Sequence, residues 1–169
     1  VNASRLIQTV RRTLAQQELQ KTVARQQQQQ QLMARISLRV SQALDLETSL
    51  EIAVDGARAL LDCDRALIYK FNSDMTGVVV AESVLSDWRV GLGAEIEDTC
   101  FRDQGAERYL KGHKTVLPNI YGANLTPCHI KLLEQFQVKA NLVVPILLQP
   151  AQSGQEPKLW GLLVAHHCR

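Results

Sequence analysis

The chain has 169 residues, of which 46% are hydrophobic and 21% are charged. These proportions are those of an ordinary globular protein, and the length suits one domain with its own core. Nineteen basic and seventeen acidic side chains give a net charge of +2, which excludes a strongly charged partner such as nucleic acid as the expected ligand. No run approaches the roughly 18 apolar residues of a membrane span, and no signal peptide is evident. We therefore expect a cytoplasmic domain, free or as the soluble part of a membrane-anchored receptor.

The cysteines are expected as thiols, because disulfides are rare in the cytoplasm. The four cysteines are Cys63, Cys100, Cys128 and Cys168, and no two of them form a Cys-Xaa-Xaa-Cys pair. No zinc or other metal site is therefore predicted.

Residues 1–31 are polar and helix-prone, contain no Gly or Pro, and end in a glutamine run at residues 26–31. Two interpretations stay open: a solvated, frayed helix, or a helical connector from an upstream domain. The basic side chains here are interpreted as a solvated helix face. We place the domain boundary after residue 31, so that residues 1–31 form a linker and residues 32–169 form the domain.

Two further helices are predicted by apolar spacing. Leu32, Ile36, Val40 and Ala43 follow one another at intervals of four, four and three, which gives one helix a face that can pack. A second helix is predicted to begin at a capping box over residues 48–51 and to continue to Asp62.

Strand patterns begin at residue 66. Residues 66–71 and 78–84 read as a hairpin joined by a turn, and a short strand at 115–117 is stopped by Pro118. Short helices are predicted at 103–112 and from Pro127. Strands follow at 141–149 and 159–167, the last closing the sheet. Helices followed by mostly antiparallel strands indicate an α+β fold.

Two cysteines 28 residues apart stand beside groups that affect thiol chemistry. Cys100 follows Asp98 by two residues, and Cys128 precedes His129. Pro127 suits the first turn of a helix, which would place the Cys128 thiol where the helix dipole favours negative charge. Since the thiolate is the nucleophilic form, Cys128 is the predicted reactive thiol.

These motifs, in this order, carry a resemblance to a known family. Asp98-Thr99-Cys100-Phe101 is followed by Cys128-His129, then by the strand after Phe136 and by a last strand at 160–167. Over residues 36–168 the chain resembles the bilin-binding GAF domain of a cyanobacteriochrome of the Asp-Xaa-Cys-Phe, dual-cysteine type, related to phytochrome GAF domains. The resemblance implies the GAF fold: a central antiparallel β-sheet with helices on one face and a ligand pocket on the other.

The resemblance also implies a covalent chromophore. Cys128 would form a thioether to the A ring of a linear tetrapyrrole, phycocyanobilin or its isomer phycoviolobilin. Cys100 would form a reversible second thioether at the central methine bridge. Because that bond makes a conjugated carbon sp³, the two photostates are expected to absorb in the blue and at longer wavelength, in the green. Thr99 stands where many relatives carry proline.

Further residues are assigned to the bilin pocket by the same resemblance. Asp98 would accept hydrogen bonds from pyrrole N–H groups, His129 would contact the ring nitrogens or carbonyl, and His166 would approach the D ring. The other predicted contacts are Phe101, Trp88, Tyr109, His113 and Tyr121. His113 stands where relatives place an arginine for a propionate, and the alternatives Lys114, Arg102 and Lys131 stay open.

Three functions are candidates for this chain. The first is a photosensory module that signals to an output domain in the same longer chain, with phototaxis receptors as one candidate and a homodimer through the N-terminal helix as a possible assembly. The second, an enzyme with a Cys128–His129 dyad, is disfavoured because adjacent helical residues point about 100° apart. The third is a GAF small-ligand or thiol redox sensor without a bilin, which leaves the paired cysteine motifs unexplained.

Overall fold

The computed structural model describes residues 3–96, 107–149 and 156–169. Its helices are α1 (Ala3–Gln42), α2 (Leu46–Leu61) and α3 (Pro127–Gln135), with a 3₁₀ helix at Ile120–Gly122. Its strands are β1 (Arg65–Phe71), β2 (Gly77–Val84), β3 (Glu95–Ile96), β4 (Thr115–Leu117), β5 (Ala140–Leu148) and β6 (Lys158–His167). Within these ranges no helix has both the length and the apolar character needed to cross a bilayer.

The six strands form one sheet in the order β3-β2-β1-β6-β5-β4, and every neighbouring pair is antiparallel. The α+β prediction is confirmed. The expectation that the last strand closes the sheet is wrong, because β6 lies in the middle, between β1 and β5. Most of β6 is buried, as a strand covered on both faces requires.

One face of the sheet, called here the helix face, packs against α2. Val54 of α2 meets Ala66, Ile68 and Ala165 in an apolar cluster. α1 then packs on α2, and the predicted stripe from Leu32 to Ala43 is its half-buried side. The two helices approach closely at Gly56, where a Cβ atom would lie 2.6 Å from Ile36 Cδ1. A larger residue at Gly56 would push α1 away from α2.

The start of α2 differs from the prediction. Asp45 is the N-cap, and its Oδ1 accepts a hydrogen bond from the Thr48 backbone N–H at 2.7 Å. The capping box predicted at residues 48–51 is therefore wrong, because Thr48 is the third residue of the helix and the partner of the cap. The predicted end is confirmed: Asp62 has a left-handed backbone with φ 50° and terminates the helix.

The opposite face, called here the cavity face, is covered differently. Its buried cluster includes Leu67, Val143, Leu162 and Val164, together with Tyr109 from the helical residues 107–110. That helical segment ends in a turn with Gly112 at φ 78°, as predicted; its predicted start lies outside the described residues. β3 and the 3₁₀ helix were not predicted, because an element of two or three residues is too short to show a periodic pattern of apolar residues.

Candidate functional site

A cavity of about 420 Å³ lies between the cavity face of the sheet and α3. Its walls are mainly apolar side chains from the strands and from α3, including Leu67, Val79, Val143, Leu162, Leu132 and Leu133. The polar groups among its lining residues are Tyr69, Arg108, Tyr109, Thr115, Asn124, Thr126, His129, Asn141 and His166. An apolar cleft of this size with a few polar groups is the usual form of a site for a small organic ligand.

The first turn of α3 holds the predicted thiol next to this cavity, although Cys128 is not among the cavity-lining residues. Thr126 is the N-cap, and its Oγ1 accepts from the His129 backbone N–H at 3.3 Å. Pro127 occupies the first helical position, so the predicted helix start is confirmed. Cys128 is an exposed free thiol, and the next residue, His129, is half-buried and lines the cavity. A nucleophile therefore stands one residue from the cavity wall.

His166 lies at the other side of the cavity, on β6. It is 5% exposed and lines the cavity, and its predicted contact with a bilin stays a prediction. Burial, followed by the positive charge of Arg65, lowers the pKa of His166 to about 3. The imidazole is therefore neutral at any pH at which the domain is expected to work.

Arg65 and Glu82 form a buried ion pair beside His166, with 2.9 Å between Arg65 Nε and Glu82 Oε1. Arg65 is fully buried, and its guanidinium also donates to the carbonyl oxygens of Phe136, at 2.7 Å, and Arg89. The second oxygen of Glu82 accepts from the Gly91 N–H at 2.6 Å. The pair thus ties β1 and β2 to the following loop and to the end of α3.

Asn141, on β5, is a second buried polar group that the sequence did not single out. It is 6% exposed, lines the cavity, and is paired in register with His166. No hydrogen-bond partner for its Oδ1 occurs within the described ranges. Because an unpaired buried acceptor costs roughly 1–3 kcal/mol, this atom fits a bound ligand that donates a hydrogen bond.

The helical residues 107–110 contribute a phenol and a guanidinium. Tyr109 is buried and its hydroxyl donates to Thr115 Oγ1 at 2.9 Å; both residues line the cavity, and the predicted contact of Tyr109 with a bilin stays a prediction. Arg108 is exposed and also lines the cavity, which the sequence reasoning missed. The sequence signal that could have identified Arg108 is its position directly before Tyr109, a predicted pocket residue in a predicted short helix. Arg108 is a fitting partner for an acidic ligand group.

The basic residues considered from sequence lie elsewhere. His113, Lys114 and Lys131 are exposed and are not among the cavity-lining residues. Arg102 lies outside the described residues, as do Asp98, Cys100 and Phe101. The structure therefore leaves the predicted second thioether, and the predicted contact of Asp98 with pyrrole N–H groups, as predictions.

Trp88 and Tyr121 line a different cleft that also contains Lys139 and Cys168. The Tyr121 hydroxyl donates to Glu134 Oε1 at 3.1 Å and accepts from Lys139 Nζ at 3.2 Å. Their predicted contact with a ligand stays a prediction, and the structure places both aromatic rings outside the lining of the main cavity.

The family model for the GAF domain matches residues 45–169. The chain therefore belongs to the GAF domain family, and the fold expected from the resemblance is confirmed. Among curated relatives, a putative methyl-accepting chemotaxis protein of Synechocystis sp. is 40% identical over 141 residues, covering 83% of this chain. The chain spans 13% of the length of that protein.

Similar solved structures indicate which GAF domains this chain resembles. The blue-light-absorbing form of the Thermosynechococcus elongatus PixJ GAF domain is 37% identical, with a TM-score of 0.66, over 75% of this chain and 74% of that chain. A phycocyanobilin-bound GAF domain from a cyanobacterial phytochrome is 30% identical, with a TM-score of 0.71, over 83% and 80%. The chain is thus homologous to the bilin-binding GAF domains of cyanobacteriochromes and phytochromes, which are photoreceptors.

Proposed function

We propose that this domain is a photoreceptor module that holds a linear tetrapyrrole in the cavity through a thioether to Cys128. The observation that carries the proposal is the exposed, free Cys128 thiol on the first turn of α3, one residue from the cavity-lining His129. Support comes from the homologous GAF domain that is phycocyanobilin-bound. The bilin proposed here is phycocyanobilin or phycoviolobilin.

The residues of the cavity fit such a ligand. Its walls are apolar enough for a flat conjugated molecule, and Arg108 is a basic partner for a propionate. His129, Asn141 and His166 are polar groups for the pyrrole nitrogens and carbonyls. When bound, the tetrapyrrole supplies light absorption and photoisomerisation. The chain orients it, keeps water from its apolar faces and provides the attaching thiol.

Replacement of the attaching cysteine tests the assignment. In a bilin-producing host, the wild-type chain should be coloured, and its denatured band should fluoresce with zinc. Cys128→Ala should lose this fluorescent band because no covalent bond remains. Cys63→Ala is the matched control, since Cys63 is buried in the cluster on the helix face.

Two results would contradict the proposal. Covalent pigment retained in Cys128→Ala would move the attachment to another residue. A colourless wild-type protein from the same host would instead favour a GAF small-ligand or thiol redox sensor.

We further propose that Cys100 gives the domain its two colours. In one photostate a second thioether to Cys100 shortens the conjugated system and absorption lies in the blue; without that bond it lies in the green. The motif Asp98-Thr99-Cys100-Phe101 motivates this, and the homologous PixJ domain has a blue-light-absorbing form. Cys100→Ser should keep the covalent pigment and lose the blue state. A blue-absorbing photostate in that variant would refute the two-thiol mechanism.

Signalling is proposed to pass to an output domain of a longer chain, without catalysis by the GAF domain itself. The Synechocystis relative is named a putative methyl-accepting chemotaxis protein, which motivates a phototaxis role. That relative is far longer than this chain, which motivates an output domain in a longer chain. A cytoplasmic location follows from the same proposal. Fusing the chain to a reporter histidine kinase and comparing kinase activity under blue and green light would test it; equal activity under both would contradict it.

A further inference from the structure

The two ring nitrogens of His166 have different surroundings. Nδ1 lies 3.4 Å from Arg65 Nη1, inside the buried region behind the cavity. A guanidinium has only donors, so in this contact Nδ1 must be the acceptor and carry no proton. In a neutral imidazole the proton is then on Nε2.

Arg65 has little freedom to release this contact. Its side chain is fully buried; Nε is ion-paired with Glu82, and the two terminal nitrogens donate to the carbonyls of Phe136 and Arg89. The guanidinium also lies 5.8 Å from the centre of the Phe136 ring. Since these partners come from a strand, a loop and the end of α3, the guanidinium is held from several directions.

We propose that Arg65 is a positioning residue that fixes His166 as the Nε2–H tautomer, which makes this side of the cavity a permanent hydrogen-bond donor. His166 lines the cavity, and its Nε2 has no hydrogen-bond partner among residues 3–96, 107–149 and 156–169. The site therefore favours a ligand that presents a hydrogen-bond acceptor here. This ligand preference rests on the proposed function; the tautomer belongs to the protein alone.

The charges around His166 support the assignment. Arg65 faces it from β1, while the carboxylate of Glu82 on β2 is engaged by Arg65 and by backbone N–H groups. Burial raises the pKa of the Cys168 thiol, which lies 3.9 Å from Arg65 Nη1 and stays neutral. Asn141, opposite on β5, is uncharged, and Arg108 adds a positive charge to the cavity lining. Among residues 3–96, 107–149 and 156–169, an imidazolium at this position would thus face the Arg65 cation without a carboxylate of its own.

Nitrogen-15 NMR on the bilin-free 169-residue chain tests the tautomer directly. With ¹⁵N-labelled histidine, long-range ¹H–¹⁵N correlations should show His166 protonated on Nε2 and unprotonated on Nδ1 from about pH 8 to pH 5, across the ordinary histidine titration. His166→Gln identifies the signals by removing them. A proton on Nδ1, or an imidazolium pattern at about pH 6, would overturn the proposal.

Two variants separate the role of Arg65 from a general structural effect. Glu82→Gln keeps the guanidinium and should leave the His166 tautomer unchanged. Arg65→Met removes the donor, so the Nδ1-protonated form should appear or the imidazole should titrate closer to its usual range. An unchanged Nε2–H pattern in a folded Arg65→Met protein would refute the positioning role. If Arg65→Met does not fold, the wild-type spectrum still tests the contact: a proton on Nδ1 would exclude acceptance from Arg65 and refute the positioning role.

The pigment-carrying protein tests the ligand preference. There the Nε2 proton of His166 should stay in place and move downfield as it enters a hydrogen bond with an acceptor. Transfer of the proton to Nδ1 would show that the ligand presents a donor and would overturn the preference. Because covalent pigment is read independently by zinc fluorescence, failure of this inference is distinct from failure of the bilin assignment.

Discussion

The two faces of the sheet are built from alternate residues of the same strands yet differ in chemistry. On β1, Ala66 and Ile68 join the apolar cluster under α2, while Arg65 and Leu67 face the cavity side. The helix face fills its space with side chains. The cavity face keeps an open volume and holds the ion pair of Arg65 with Glu82, close to His166.

This difference indicates that the helix face mainly stabilises the domain, whereas the cavity face mainly forms the ligand site. Buried polar groups cost free energy unless they are paired, so a sheet built for stability alone would carry apolar residues on both faces. Here the buried ion pair, His166 and Asn141 lie on one face, beside a cavity that α3 borders, whereas on the helix face Ser83 accepts a hydrogen bond from Arg58 Nε at 2.8 Å. We therefore expect substitutions on the helix face mainly to lower the free energy of unfolding. Substitutions on the cavity face should mainly shift the absorption spectrum of the pigment.

The largest expected effect comes from truncating a packed residue. Ile68→Ala should destabilise the bilin-free domain by about 2–5 kcal/mol, because Ile68 is 2% exposed within a filled cluster and a new void would remain. Its neighbour Leu67 already lines a cavity, so Leu67→Ala should cost less. Urea denaturation of both variants measures the difference.

Spectra complete this comparison. Leu67→Ala changes the wall of the cavity and should shift the absorption maxima of the pigment, while Ile68→Ala should leave them in place. Equal stability losses together with equal spectral shifts would show that the two faces are not separate in the way described.

The next effect is the response of stability to pH. Because the pKa of His166 is about 3 in the folded domain, the unfolded chain takes up a proton on this residue near its ordinary pKa while the folded domain does not. Stability is therefore highest above about pH 6.5 and falls as pH decreases toward 3, by about 2 kcal/mol between pH 7 and pH 5. Denaturation midpoints at several pH values measure this slope.

The matched control for that slope is His166→Gln, in which the loss between pH 7 and pH 5 should largely vanish. The pKa of Asp64 is also lowered, with its hydrogen bond from the Cys168 N–H and the charge of Arg169 opposing burial, but its contribution is lost only below the usual aspartate range. A wild-type curve that is flat from pH 7 to pH 5 would contradict a neutral, buried His166.

A smaller effect of opposite sign is expected at Asn141. Asn141→Leu removes the buried acceptor that lacks a partner within the described ranges, so the bilin-free domain should gain about 1–2 kcal/mol. The same change should reduce pigment attachment, because a ligand donor would lose its acceptor. Chemical denaturation and the yield of zinc-fluorescent band measure the two effects. A variant that is destabilised and still fully pigmented would remove Asn141 from the ligand site.

The sequence predicted the parts of this molecule that depend on local pattern. The hairpin of β1 and β2, the end of α2 at Asp62 and the start of α3 at Pro127 follow from periodicity and capping residues. Cys128 and His129 were found because they are adjacent in a recognisable motif. Both residues lie in the first turn of α3, so the predicted start of that helix also places them.

The rest of the site depends on long-range register. Arg65 and Glu82 meet only because β1 pairs with β2. Asn141 stands in an apolar strand, where a shift of one residue would turn its side chain to the other face. Tyr121 is held in the second cleft by contacts with Glu134 and Lys139, which no local pattern specifies.

The smallest expected effect on the domain comes from deleting residues 1–31. The described side chains of this part of α1 are exposed, including Val10 at 49% and Leu14 at 55%, whereas the contact with α2 begins at the stripe from Leu32. Removing exposed residues should change the free energy of unfolding by no more than about 0.5 kcal/mol and leave the absorption spectrum unchanged. If this helix self-associates, the deletion should shift the light-scattering mass from dimer to monomer. Leu14→Glu in the full chain is the matched variant, since it keeps the helix and charges its apolar side. Loss of pigment on deletion would instead make these residues part of the pocket, and the linker interpretation would be wrong.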